Sequence, residues 1–78
     1  MDKVKILSEI QNIIRDVLDD PTIVLNETTK ASDVDGWDSL THIQLIVAIE
    51  KKIKIKFSSK EILLWKNVGE MVDSIMQK

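Results

Sequence analysis

Aliphatic side chains at helical spacing constrain the fold of this chain most strongly. Between residues 4 and 18 they recur at i, i+3, i+4 and i+7, the pattern of an amphipathic helix, at Leu7, Ile10, Ile14 and Val17, with Ile6, Ile13 and Leu18 beside them. Proline disfavours a helical conformation in the residue before it, so we expect Pro21 to end this helix. The spacing predicts a first, long helix.

A second segment with helical spacing runs from Ser39 to Ile53. Asp35 or Asp38 is placed to cap it, because either carboxylate can accept a hydrogen bond from an unpaired backbone N–H group. The expected inner face comprises Leu40, Ile43, Ile46, Val47, Ile49 and Ile53, with Leu45 and Ala48 flanking it. The pattern predicts a second long helix.

Two N-capping patterns predict a short helix and then a medium one. Ser58 and Glu61 form a capping box before the apolar run that ends at Trp65, and Asn67 with Glu70 opens the last helix. The apolar stripe of that helix comprises Val68, Met71, Val72, Ile75 and Met76.

The connections between these helices carry apolar side chains of their own. Residues 19–38 show no helical period, yet they contain the anchors Ile23, Val24, Leu25, Val34 and Trp37. We expect a long ordered loop across the core, and leave open a short helical turn within it. Residues 53–57 alternate as a strand does, but no other segment alternates. We therefore expect an extended connector that places Ile55 and Phe57 in the core.

Length and composition complete this interpretation. The chain has 78 residues and no cysteine, so one small core without disulfide bonds must suffice. We predict an all-α fold: a small four-helix bundle in the order long, long, short, medium, forming a single domain over residues 1–78. The N-terminal residues contain no apolar signal segment, and no run approaches the ~20 apolar residues of a membrane span. A cytoplasmic location is the expectation.

Charge is distributed unevenly, although the net charge is only −2. Residues 16–38 contain seven acidic residues against Lys30 alone, and residues 51–66 contain six lysines against Glu61 alone. An acidic approach to a site steers basic partner surfaces toward it, although a solvated loop explains the same pattern. The basic segment is too weak and too poor in aromatic residues to indicate nucleic-acid binding.

Two other kinds of site fit poorly. Ser39 and His42 are neighbours on a helix, but no third residue is placed to orient the imidazole, so a catalytic dyad is not expected and His42 is taken as a polar surface residue. The acids from Asp33 to Asp38 do not match the oxygen spacing of a calcium-binding loop, because Trp37 falls at a ligand position. We expect neither catalysis nor a metal.

Ser39 itself is the clearest candidate for chemistry. It follows Gly36, Trp37 and Asp38 and precedes Leu40, at the point where the loop becomes a helix. A hydroxyl in the first turn lies beside unpaired N–H groups and the positive end of the helix dipole, which favours a phosphate ester. The same residues also suit an ordinary helix start, so both interpretations stay open at this point.

The stretch from Gly36 to Glu50, with Phe57 and the helix from Val68 to Ile75, resembles the acyl carrier proteins. The resemblance implies that Ser39 receives 4′-phosphopantetheine from coenzyme A. It also implies that the thiol of this group holds acyl intermediates as thioesters. The protein would then have no catalytic activity of its own and would act as a monomer.

The resemblance also assigns roles to the neighbours of Ser39. Asp38 matches an acid that contacts the basic, Mg²⁺-dependent phosphopantetheinyl transferase, a role compatible with helix capping. Leu40 is expected to pack inward and fix the turn, and Gly36 to permit either a sharp approach of the chain or a positive φ. Trp37 is either a loop anchor or a platform for a partner, and we favour the anchor.

The partner enzymes implied are acyl-activating enzymes, acyl-transfer enzymes and synthases. The residues expected to recognise partners are Asp35, Asp38, Leu40 and Glu50. Gln44 stands where carriers of fatty acid synthesis commonly have Glu, and Lys51 and Lys52 replace acids. This departure suggests a specialised polyketide, lipid or surface-polysaccharide pathway. A peptidyl or aminoacyl carrier, or an unmodified helical interaction module, are the alternatives.

Overall fold

The computed structural model describes residues 2–78. The helices are α1 (Lys3–Leu18), α2 (Ser39–Ile53), α3 (Ser59–Leu64) and α4 (Val68–Met76), with a 3-10 turn at Ala31–Asp33. None of the described residues lies in a β-strand. The predicted four-helix fold, with helices in the order long, long, short, medium, is confirmed, and the 3-10 turn answers the question left open about the loop.

The core centres on α1, which packs against both α2 and α4. The buried apolar residues of the helices are Ile6, Ile10, Ile13 and Ile14 in α1, Leu45, Ile46 and Ile49 in α2, and Val68, Met71, Val72 and Ile75 in α4. Each such side chain contributes about 1.5–3 kcal/mol on burial. Met76 was predicted in the apolar stripe of α4 but is exposed. It is the last residue of α4 and lies at the edge of that stripe.

The orientation of α2 differs from the prediction. Three residues assigned to its inner face are exposed: Leu40 (65%), Ile43 (59%) and Val47. Leu45, which was placed at the flank, is fully buried. Because α2 is aliphatic around most of its circumference, its own spacing does not decide which side faces α1. Contact with α1 decides it, and an apolar strip remains on the solvent side.

Two helices end in left-handed residues. α1 ends at Leu18, where Asp19 adopts φ 53° and donates its N–H to the carbonyls of Arg15 and Asp16. Pro21 lies two residues beyond this cap, so its part in ending the helix stays a prediction. α2 ends in the same way at Lys54, with φ 63°.

The alternating segment covers residues 53–57, but its first residue, Ile53, still belongs to α2. The connector therefore begins at Lys54. Ile55 and Phe57 are half-buried and pack against the core, as predicted. The backbone N–H of Phe57 donates to the Glu50 carboxylate (2.9 Å), which holds the connector against the end of α2.

The long loop is anchored to α1. Ile23, Leu25 and Trp37 are buried, and Val34 packs against the core, as predicted. Val24 is 71% exposed, contrary to prediction, because successive side chains of an extended segment point to opposite sides. Side chains of α1 bind the loop backbone: Arg15 Nε donates to the Ile23 carbonyl (2.7 Å), and Gln11 Oε1 accepts the Leu25 N–H (2.8 Å).

The loop also docks on the N-terminus of α4. Val68 donates its N–H to the Thr29 carbonyl (2.8 Å), and Gly69 donates to the Glu27 carbonyl (2.9 Å). These two donors belong to the first turn of α4, where no intrahelical partner exists. A Cβ on Gly69 would lie 2.7 Å from the Glu27 oxygen, so glycine permits this approach.

α3 is held by polar contacts, since none of its residues is fully buried. Ser58 and Glu61 form the predicted capping box. The Glu61 carboxylate also accepts the Lys78 ammonium (3.0 Å) and the Ser74 hydroxyl (2.9 Å). The bond from Lys78, followed by that from Ser74, lowers the pKa of Glu61 to about 2. This network ties α3 to the C-terminal end of α4. At the other end of α4, the predicted cap Asn67 accepts a hydrogen bond from the backbone N–H of Glu70.

Candidate functional site

Ser39 is the first residue of α2 and is exposed. Within residues 2–78 its hydroxyl makes no hydrogen bond, so neither its proton nor its lone pairs have a structural role there. The oxygen is therefore free to form an ester. α2 is 15 residues long, and the positive end of its dipole lies beside this hydroxyl.

The backbone that presents Ser39 is fixed by hydrogen bonds around Thr41. Asp38 Oδ1 accepts the Thr41 N–H (2.9 Å), and Thr41 Oγ1 accepts the Asp38 N–H (2.8 Å). The Thr41 hydroxyl donates to the Gly36 carbonyl (2.9 Å). Gly36 has φ +86°, the positive φ that the sequence predicted, and Asp38 rather than Asp35 is the cap.

Asp38 carries a stable negative charge next to Ser39. The Thr41 N–H, followed by the Thr41 hydroxyl, holds the pKa of Asp38 below its usual value. The side chain is exposed, so this charge is accessible to a partner as well as to the helix N-terminus. Capping and partner contact are compatible in this geometry.

Trp37 and His42 form a polar pair beneath the loop. Trp37 is buried, which agrees with its predicted role as an anchor, and its Nε1–H donates to His42 Nδ1 (3.0 Å). The two rings stack with centroids 6.0 Å apart, and Trp65 meets His42 edge-on. His42, which was expected at the surface, is half-buried by this contact and keeps part of its ring in contact with the surface. Burial lowers the pKa of His42.

An open groove of about 600 Å³ lies beside Ser39. Its lining is formed by Ala31, Ser32, Trp37, Asp38, Ser39, His42, Ile43 and Trp65. Ser39 and His42 both line it, but no hydrogen bond joins them in the described part of the chain. His42 Nδ1 is occupied by Trp37, so no oriented base faces the serine hydroxyl.

The other residues expected to recognise partners occupy different surroundings. Asp35 and Leu40 are exposed near Ser39, so the expectation that Leu40 packs inward is wrong. It lies on the solvent side because α2 turns Leu45 toward α1 instead. Glu50 is half-buried and accepts the Phe57 N–H, about 16 Å along the helix axis from Ser39.

Two residues of the site were missed from the sequence. The role of Thr41 had a signal, since Asp38 followed three residues later by a hydroxyl residue can form a reciprocal cap. Trp65 had none, because it reaches the groove from the other end of the chain.

Within residues 2–78, no cluster of three or more potential ligands is arranged to hold a metal ion. The helices in this range are also too short or too polar to cross a bilayer.

Comparison with known proteins gives three consistent similarities. A family model described as a phosphopantetheine attachment site matches residues 8–75. An acyl carrier protein of Thermosynechococcus vestitus is 32% identical, covering 100% of this chain and 96% of its own length. An acyl carrier protein of Acidothermus cellulolyticus is 31% identical, covering 96% of this chain and 89% of its own length.

A solved structure is similar over most of the chain. The solution NMR structure of a holo acyl carrier protein from Geobacter metallireducens has a TM-score of 0.86 and 46% identity. The match covers 92% of this chain and 83% of that one. Fold and sequence therefore agree on one family.

Proposed function

The chain belongs to the acyl carrier protein family, and from this premise we propose that Ser39 is where its 4′-phosphopantetheine group is attached. Carriers of this family have no catalytic activity of their own. The observation that supports Ser39 is its free, exposed hydroxyl at the first residue of a long helix beside an open groove. α1, α2 and α4 share one core with the long loop, which supports a single carrier domain.

The surroundings of Ser39 fit the group chemically. A phosphodiester on its oxygen is stabilised by the unpaired N–H groups and dipole of the helix N-terminus. The apolar lining of the groove, with Trp65 and Ile43, offers a surface for the hydrocarbon part of an arm. Attachment requires no rearrangement of the cap, since the Ser39 hydroxyl takes no part in it.

Attachment is a group transfer onto this hydroxyl. The Ser39 oxygen bonds to the phosphorus that bears the pantetheine of coenzyme A, and the phosphoanhydride bond breaks. Adenosine 3′,5′-bisphosphate leaves with the bond's electron pair, and the serine proton passes to a base of the transferase. When attached, the group supplies a thiol that holds an acyl intermediate as a thioester.

The chain's own contribution is presentation. Thr41 and Gly36 fix the loop, and Asp38 and Asp35 give the approach to Ser39 a negative charge that suits a basic transferase. Leu40 and the exposed apolar strip of α2 provide a docking surface for enzymes that load or receive the acyl group. Glu50 marks the far end of that surface.

Gln44, Lys51 and Lys52 supply no negative charge along α2, which favours partners other than those of general fatty acid synthesis. We place the carrier in a specialised polyketide, lipid or surface-polysaccharide pathway. A cytoplasmic location is part of the proposal, because a chain without cysteine needs no oxidising compartment to fold.

Intact-mass measurement tests the attachment. Apo protein is incubated with coenzyme A, Mg²⁺ and a broad-specificity phosphopantetheinyl transferase, beside a carrier known to be modified. We expect a mass gain of one phosphopantetheine on the wild type and on Ser32→Ala, and none on Ser39→Ala. Ser32 is the matched control, since it is an exposed serine lining the same groove.

Modification of Ser39→Ala, or no gain on the wild type while the known carrier is modified, would contradict the proposal. The cargo is tested on the holo form by offering acyl-activating and amino-acid-activating enzymes in competition. An acyl thioester is expected, whereas an aminoacyl thioester would reassign the chain as a peptidyl or aminoacyl carrier.

A further inference from the structure

His42 offers a hydrogen-bond donor to the groove of Ser39 that no contact within residues 2–78 uses. Its Nδ1 is engaged with Trp37, but its Nε2 has no partner in this range. Residues 2–78 contain no fully buried side-chain nitrogen or oxygen that lacks a hydrogen-bond partner, so Nε2 keeps some exposure to solvent. An accessible ring nitrogen therefore lines a groove next to the proposed attachment point.

The hydrogen bond from Trp37 decides which tautomer His42 adopts. An indole Nε1–H donates and cannot accept, so His42 Nδ1 must present a lone pair to it. A neutral imidazole then carries its proton on Nε2. Burial favours the neutral ring, which agrees with this assignment. The protein thus fixes an Nε2–H donor rather than a lone pair at the groove.

The register of α2 brings this donor close to Ser39. The two residues are three positions apart, so they share one face of the helix with Cβ atoms about 5–6 Å apart. Among the described residues, no lysine or arginine lines the groove, and the only charged side chain in its lining, Asp38, accepts the Thr41 N–H. A phosphate on Ser39 would therefore find no cation there, but one oriented ring donor.

We infer that His42 is a positioning residue for the prosthetic group: its Nε2–H donates a hydrogen bond to a phosphodiester oxygen on Ser39. This inference rests on the proposed attachment at Ser39. The bond holds the start of the arm against α2 and directs the rest along the groove toward Trp65. Trp37 acts through His42, because it fixes the tautomer without touching the arm.

Nitrogen NMR on the apo and holo forms tests the inference without any substitution. The chain has one histidine, so the ¹⁵N signals of an imidazole-labelled sample belong to His42. We expect the Nε2–H tautomer in both forms. In the holo form the Nε2 signal shifts, and the titration midpoint of His42 rises by at least about half a pH unit. Two opposite unit charges about 5–6 Å apart in water would cause a shift of this size.

A phosphorus measurement provides a second reading. The ³¹P signal of the holo protein is expected to titrate with the same midpoint as His42. This titration should be absent in holo His42→Gln, because the glutamine amide can donate a hydrogen bond but does not titrate. The indole signal of Trp37 should follow the same midpoint, because protonation of Nδ1 removes its acceptor.

The mass of the same sample separates the two proposals. No mass gain would contradict attachment at Ser39 and, with it, the role of His42. Full mass gain with an unchanged Nε2 shift and an unchanged His42 midpoint would overturn the role of His42 alone. A midpoint that falls in the holo form would also overturn it, because a nearby anion can only favour the protonated ring.

Discussion

Protonation of His42 is coupled to the fold through one hydrogen bond. In the neutral form Nδ1 accepts from buried Trp37, and protonation converts that acceptor into a donor. Burial likewise lowers the pKa of His42 below the value of the unfolded chain. The unfolded state therefore binds this proton more readily than the folded state does.

We predict that the apo protein loses stability as the pH falls below about 6.5, the ordinary pKa of histidine. This contribution is fully present above that pH and is lost as the pH falls through the lowered pKa of the folded state. One proton bounds the loss at about 1.4 kcal/mol per pH unit, and a half-exposed ring contributes less. Urea unfolding at pH 7.5, 6.5 and 5.5 (about one unit to each side of that pKa) measures it.

His42→Gln is the control, because its amide can accept from Trp37 but does not titrate in this range. Its unfolding midpoint should change less between the two pH extremes than that of the wild type. Equal pH dependence in both proteins would show that other groups are responsible.

Single residues near Ser39 differ in how far the sequence determines them. A carboxylate cap at Asp35 or Asp38 and a positive φ at Gly36 follow from local backbone requirements, so the sequence indicated both, and the structure selects Asp38. The positions of Leu40 and His42 depend on which side of α2 meets α1 and on where the loop brings Trp37. Local patterns contain neither fact, so the inward packing of Leu40 was predicted wrongly and the half-burial of His42 was missed.

Among the helices, those with narrow apolar stripes were predicted best. α1 and α4 each have one apolar side, so spacing determines both the helix and its buried face. α2 is apolar on most sides, so spacing determines the helix but not its rotation. The strip that remains exposed on α2 is the surface that we propose for docking. The same excess of aliphatic residues thus misled the prediction and supplies the proposed docking surface.

The contact between the long loop and α4 depends on Gly69. We predict that Gly69→Ala destabilises the protein by about 1–3 kcal/mol, the usual cost of forcing an added carbon into a filled space. The new Cβ would lie 2.7 Å from the Glu27 carbonyl oxygen, so the loop or the start of α4 must move. This cost opposes the gain of about 1 kcal/mol that alanine brings to a helix.

Urea unfolding at neutral pH measures the change, and Gln44→Ala on the exposed side of α2 serves as a control for helix propensity alone. The backbone N–H groups of residues 68 and 69 bind the loop in the wild type. Their hydrogen exchange should be faster in Gly69→Ala than in the wild type. A stability equal to or above the wild type would show that the loop accommodates the carbon.

Across the whole molecule, charge is sorted along α2. Asp38 caps the end that bears Ser39, and Asp35 precedes it in the loop. Lys51 and Lys52 lie in the last turn, where they complement the helix dipole. Lys51 is about 18 Å along the axis from Ser39. The screening length near physiological salt is about 8 Å, so the two ends act on partners almost independently.

We therefore expect the transferase to respond to one end of α2 and not to the other. Asp35→Asn and Lys51→Gln each remove one charge from an exposed side chain, which makes them a matched pair. At low salt, Asp35→Asn should lower kcat/KM for phosphopantetheine transfer a few-fold, because it weakens the attraction of a basic enzyme to Ser39. Lys51→Gln should leave kcat/KM unchanged.

Salt distinguishes this long-range attraction from a direct contact. As the salt concentration is raised toward 1 M, where the screening length is about 3 Å, the difference between Asp35→Asn and the wild type should disappear. If the defect persists, Asp35 contacts the transferase directly, and if Lys51→Gln is equally defective, the enzyme reads the whole length of α2. The first result would replace long-range attraction by a direct contact at the same acidic end, and the second would contradict the prediction that only this end of α2 serves attachment.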